Sequence, residues 1–256
     1  AVGAIGATTE IGSVTIGSAQ DGDITLNGAI VANGTVSLDG DVTLGADISI
    51  TTSNDAISFN HTIDGGQALV LSSGTGTITI SDKIGAASSG TLTALTINAG
   101  NGETSAGSII LSGDIGSTSQ VGVSGVTKIG NTSTAEITFG GDLYRTTGSA
   151  TYAASGTAPS NQTGSFDMNS GATAIKFQST DNAITFSTGT IDLAEGVDLT
   201  VDTDAGSGAI TIGSIRGTIA SSNDTPETVT LDAGTGTTAV GAIGATTEIG
   251  SVTIGS

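Results

Sequence analysis

Apolar and polar residues alternate in short bursts along this chain, with Ile, Val, Leu or Phe on either side of a residue that is usually Thr or Ser. The bursts begin as Val14-Thr15-Ile16, Ile24-Thr25-Leu26, Val36-Ser37-Leu38, Val42-Thr43-Leu44, Ile48-Ser49-Ile50 and Ile57-Ser58-Phe59. They continue through Leu69-Val70-Leu71, Ile78-Thr79-Ile80, Leu95-Thr96-Ile97, Ile109-Ile110-Leu111 and Ile137-Thr138-Phe139. After a gap they resume as Ile175-Lys176-Phe177, Ile184-Thr185-Phe186, Ile191-Asp192-Leu193, Leu199-Thr200-Val201, Ile210-Thr211-Ile212 and Val229-Thr230-Leu231. Period-two alternation of β-branched residues predicts short strands with one buried face. No stretch sustains apolar spacing at 3.6, and Glu, Lys, Gln and Arg are scarce, so helices are not expected.

An all-β chain with this many similar strands fits a stacked coil better than a sandwich or barrel, which carry fewer strands and larger central aromatics. The expected fold is a parallel β-helix, or β-solenoid, with inward Ile, Val and Leu forming one long column. Composition agrees: 41 glycines supply corners, while aromatics are only 3% and Trp is absent, too few for a round core. At about 20 residues per rung and about 4.8 Å between strands, a unit of 238 residues would make about a dozen rungs and a rod of roughly 57 Å. From Gly34 to Thr51 the apolar pairs are six apart, as in a left-handed hexapeptide coil. Elsewhere the interval varies, so a right-handed coil with variable corner loops is favoured.

The sequence AVGAIGATTEIGSVTIGS occurs twice, at residues 1–18 and again at 239–256. Identity of that length reflects duplication, and repeats define architecture before any other signal. Residues 1–238 are read as one solenoid unit and 239–256 as the start of the next identical unit in a tandem array. The alternative is a duplicated end through which subunits join. If the coil is continuous, the two copies should share backbone conformation and occupy equivalent rung positions. The alternation fails over Tyr144 to Gly171, which holds both Tyr residues and Pro159. Residues 144–171 are expected to be a loop leaving the coil, or else weak rungs built on Ala150, Tyr152 and Ala154, with Phe166 and Met168 the other inward candidates.

Three runs carry a family resemblance: GDITLNGAIVANGTVSLDGDVTLGADISI, TIDGGQALVLSSGTGTITISDKIGAASSGTLTALTINAG and STDNAITFSTGTIDLAEGVDLTVDT. They resemble filamentous-haemagglutinin-type β-strand repeats of very large secreted bacterial adhesins and surface fibres. The resemblance implies a right-handed β-helix shaft, export to the cell surface, and a role in adhesion or envelope structure. The family's secretion-signal domain is missing from these residues, and with no Met or signal peptide at Ala1 the chain reads as an excerpt of something longer.

Charge and residue inventory narrow the chemistry. Twenty-four acidic residues against five basic ones give a net charge of −19, which argues against nucleic acid and anionic membrane as partners. No apolar run approaches the roughly 18 residues of a membrane span. Without Cys there is no disulfide framework, thiol nucleophile or Cys zinc site. His61 is the only His, which leaves Ser and Thr without a base supply and a His-based metal site without a second ligand. The D-x-D pairs Asp21 and Asp23, Asp39 and Asp41, and Asp202 and Asp204 are weak Ca²⁺ candidates. Read otherwise, these Asp side chains close strands by bonding turn amides. Paired carboxylates could also serve a glycosidase, but Trp is absent and Tyr and Arg are few, so no enzyme is expected. Five N-x-S/T sequons, at Asn33, Asn60, Asn131, Asn161 and Asn223, occur in a chain rich in Ser and Thr.

The expected function is that of a shaft or fibre segment of a giant repetitive extracellular protein, with adjacent identical repeats as its partners and no cofactor required. The alternatives are a self-assembling filament, sheath or surface layer with lateral contacts between identical chains, and a β-helix polysaccharide-active enzyme.

Overall fold

The computed structural model describes residues 1–18, 22–100, 107–154, 166–168, 173–217, 226–245 and 248–255. It is an all-β solenoid: the described residues hold 24 strands, from Val14–Gly17 to Ser251–Gly255, and every strand pairing is parallel. Each of the seventeen apolar triplets lies within a strand.

The chain winds around three faces in a fixed order. Face one begins with Val14–Gly17, face two with Ile24–Leu26 and face three with Ile30–Ala32, after which Val36–Asp39 returns to face one. The pairs six residues apart therefore have a simple meaning: Val36, Val42 and Ile48 start the three sides of a single turn. Faces one and three form one continuous sheet because the strand Ile184–Leu193 runs across both, with a register shift between Phe186 and Thr190. Face two is interrupted where Ile84 and Ile115 contribute single bridges.

The core is three aligned columns. On face one, Val36, Ile57, Ile78, Ile109, Ile137, Phe166, Ile191 and Ile215 stack in register. Face three stacks Ile50, Leu71, Ile97, Ile129, Tyr152, Phe186 and Ile212. Face two stacks Ile63, Ile84, Ile115, Tyr144, Phe177, Val201 and Leu231. All of these side chains are buried, so one elongated core replaces the centre of a globule.

Turn length varies widely, from 18 residues between Ile24 and Val42 to 34 between Tyr152 and Phe186, because the corners consume different numbers of residues. The 238-residue unit consequently makes fewer turns than a dozen. Buried hydroxyls close several corners: Thr52 Oγ1 donates to Asp55 O at 2.5 Å, Ser73 Oγ to Gly76 O at 2.6 Å and Thr203 Oγ1 to Gly208 O at 2.8 Å.

Part of the stretch expected to leave the coil instead belongs to it. Leu143–Arg145, Ala150–Ala153 and Phe166–Met168 are strands on faces two, three and one, and Tyr144, Ala150, Tyr152, Ala154, Phe166 and Met168 are buried. Residues 155–165 and 169–172 lie outside the described residues. The aromatic rings here replace the aliphatic columns. Tyr144 stacks on Phe177 at 4.8 Å and Tyr152 on Phe186 at 4.8 Å, with Phe139 edge-on to both Tyr rings. Tyr144 can be inward because its hydroxyl accepts from Gly141 N at 2.9 Å and donates to Leu111 O at 3.3 Å. Burial raises the pKa of both Tyr hydroxyls, so they stay neutral.

The repeated segment does not keep its rung position. Both copies bend at a left-handed glycine, Gly6 with φ 70° and Gly244 with φ 63°. Val2, Ile5 and Val14 lie on faces two, three and one, whereas Val240, Ile243 and Val252 lie on faces three, one and two. The expectation of equivalent rung positions is corrected: an offset of 238 residues is not a whole number of these variable turns.

Two substitutions probe this core. Phe177 touches four other rings, so Phe177→Ala should cost about 3–5 kcal/mol in urea unfolding. Thr127 Oγ1 faces inward beside Leu95 and Ala150 and has no hydrogen-bond partner among the described residues. Thr127→Val keeps the shape and removes the orphaned hydroxyl, and should raise stability by about 1 kcal/mol in the same measurement.

Candidate functional site

Polar side chains on the outside of the coil do two kinds of work, and the first is at the corners. There the parallel ladder breaks and leaves backbone N–H groups unpaired. Asp and Asn side chains of one rung reach to the next and accept them. Asp47 Oδ1 takes Ala68 N at 2.9 Å, Asn54 Oδ1 takes Thr75 N at 3.1 Å and Asp64 Oδ1 takes Ala87 N at 3.1 Å. Asp114 Oδ1 takes Asp142 N at 2.8 Å and Leu143 N at 3.0 Å, and Asp198 Oδ1 takes Thr228 N at 2.9 Å. The amides so capped belong to the rung that follows, which no pattern local to the Asp could reveal.

The Ca²⁺ candidates fit this scheme only in part. Asp21 lies outside the described residues, and Asp23 is exposed just before the first strand of face two. Asp39 Oδ1 accepts from Asn60 Nδ2 at 3.2 Å and stands 3.4 Å from His61 Nε2. Asp41 Oδ1 accepts from Thr62 Oγ1 at 2.8 Å and Thr62 N at 3.3 Å. Asp202 Oδ1 accepts from Asp204 N at 2.7 Å, while its Oδ2 meets Lys176 Nζ at 2.8 Å. Asp204 bends in the left-handed region at φ 64° and accepts from Ala205 N at 2.9 Å. Among the described residues no three His, Asp or Glu side chains converge as a metal site would need. His61 is half-exposed at a corner with Asp39 as its neighbour.

The second kind of work is a charged row on the outer side of face one that sequence reading did not single out. Thr138, Asp167, Asp192 and Arg216 occupy one register position in four successive rungs, and Glu136 lies two residues before Thr138 on the same side. Rungs are about 4.8 Å apart, so three carboxylates crowd together. Arg216 closes the upper end by a two-pronged pair with Asp192, Nη2 to Oδ2 at 2.8 Å and Nε to Oδ1. The pairing raises the Arg216 pKa. Burial, and next the charges of Asp167 and Asp192, raise the pKa of Glu136; burial and then Asp192 raise that of Asp167. The outward residue of a strand triplet was the available signal, since Asp192 sits where Thr or Ser usually does, but the row exists only through stacking.

Cations serve mainly as links between rungs. Lys83 reaches Asp114 at 3.2 Å, Lys176 reaches Asp202, and Arg145 Nη1 donates to Ser117 O and Thr118 O. What the outer surface offers chemically is a set of inter-rung clasps and one crowded acidic row.

No family model, curated protein or solved structure matches the chain.

The acidic row should make stability depend on pH in a defined direction. With its pKa raised on folding, Asp167 binds its proton more tightly in the native state, so stability falls as pH rises through the raised value and the penalty is complete above it. Asp167→Asn should therefore raise the melting temperature at pH 8 and lose that advantage by about pH 4, near the ordinary carboxylate range, in paired thermal melts.

Proposed function

We propose that this chain is a shaft segment of a long, repetitive extracellular protein used in adhesion or cell-surface structure, working mechanically rather than as a catalyst. The observation that carries the reading is the repeated segment. Its second copy continues the coil by pairing Val240 with Ile212, Ile243 with Ile215 and Val252 with Val229. A tandem series of such units is one uninterrupted rod.

The physical design suits a load-bearing part. Hydrogen bonds between parallel strands run along the axis, so tension on the rod is shared across three faces at every level. Side-chain clasps at the corners tie each rung to the next, and the acidic excess keeps rods apart from one another. The likeness to filamentous-haemagglutinin-type repeats supports the same assignment on sequence pattern. On this reading the chain lies outside the cell, next to identical units of the same fibre and without need of a cofactor.

Gold-labelled antibody raised against this chain is expected to decorate unpermeabilised source cells along projecting fibres in electron micrographs. Label that enters only after permeabilisation, or that marks a flat lattice, would overturn the shaft reading.

A further inference from the structure

The repeated segment is seen in two complementary settings. In its first copy it is covered by the rung of residues 24–39: Val2 pairs with Leu26, Ile5 with Ile30 and Val14 with Val36. The bonds are well formed, with Asn27 N donating to Val2 O at 2.7 Å and Val31 N to Ile5 O at 2.9 Å. In its second copy the segment shows its lower neighbours, residues 210–215 and 228–232, and among the described residues no strand pairs with its other edge. There Ile254 is 58% exposed and Val252 41%, while the equivalent Val14 is 6% exposed under its covering rung.

Joined through their common sequence, the two settings describe a complete junction. The inward columns run Ile212, Val240, Leu26; Ile215, Ile243, Ile30; and Val229, Val252, Val36, aliphatic throughout and in phase. The tight corner is continuous as well. A Cβ at Gly241 would run into the Gly213 carbonyl oxygen, one at Gly213 would stand 3.0 Å from Gly189 O, and one at Gly28 would strike the backbone of Ala4. Gly241 and Ala242 are the second-copy equivalents of Gly3 and Ala4, so a single column of close backbone approaches crosses the junction.

Val240, Ile243 and Val252 each lie one face further along the winding direction than their first-copy counterparts Val2, Ile5 and Val14. We propose that the rung of residues 239–245 and 248–255 is the platform for the rung sequence of residues 24–39 of a following unit, and that each unit advances the coil by whole turns plus one third. This rests on the tandem-array reading above. Any feature on the side of a unit, such as the row of Glu136, Asp167, Asp192 and Arg216, then appears on the three faces in turn and returns to its own face with every third unit. The shaft displays its surface chemistry to all sides, where a whole-turn repeat would align it along one.

The test uses a chain of residues 1–256 followed directly by a second 19–256, with paired cysteines introduced into this Cys-free sequence and bridged by dibromobimane, which fluoresces on joining two thiols. Bridging needs side chains within a few Å, so true neighbours should exceed single-cysteine variants by about tenfold. Thr230→Cys with Thr253→Cys reads the advance, and Thr253→Cys with Ser37→Cys of the second unit reads continuity; both should bridge. Arg216→Cys with Thr253→Cys should not, because a whole-turn repeat is what would bring those two together. Bridging of that last pair, or failure of the Thr230 pair, overturns the one-third advance. Failure of the Thr253 and Ser37 pair, with the Thr230 pair intact, overturns the continuous array instead.

Discussion

The in-register parallel ladder between successive turns is the interaction on which this structure depends. Each strand forms its backbone hydrogen bonds with the rungs above and below, and the same register that aligns those bonds aligns the side chains. Once Ile78 lies between Ile57 and Ile109, a column follows, and with three faces there are three columns. The chain has 3% aromatics and no Trp, yet it buries most of its Ile, Val and Leu, because each inward residue needs to contact only its own level and its two neighbours.

The ladder also determines where polar groups are useful. Along the faces the backbone satisfies itself, and outward Thr and Ser meet water. At corners the ladder stops, and the unpaired amides are taken by Asp and Asn from the preceding rung, several of them 21 residues away. Of the acidic residues that suggested a cation site, Asp41 is a cap of this kind, while Asp202 and Asp204 accept amides within their own turn. Where carboxylates stack directly, as Asp167 and Asp192 do, the same alignment becomes unfavourable; Arg216 offsets it at one end, while at the other burial and the Asp192 charge raise the pKa of Asp167.

The middle of the coil shows how far the columns tolerate change. Tyr144, Tyr152, Phe166, Phe177 and Phe186 enter positions held elsewhere by aliphatic residues, and their rings stack or meet edge to face across rungs. Alternation survives there, as Ala150-Thr151-Tyr152 and Phe166-Asp167-Met168, but with small and aromatic residues in place of the β-branched signal. That substitution is why this stretch reads in the sequence as a departure from the coil.

By itself the sequence determined the strand class, the parallel solenoid and the inward residue of each triplet, because period-two alternation is a local property of a few consecutive residues. It also supplied the repeat, which is a matter of identity alone. Only the tertiary structure decided the number of residues per turn, the rung that each Asp caps, the acidic row on face one and the face on which each copy of the repeated segment lies. All four depend on how many residues the corners between strands consume. Corner length is set by the fit of one rung on the next, and contacts between residues 18 to 34 positions apart leave no period in the chain from which to read it.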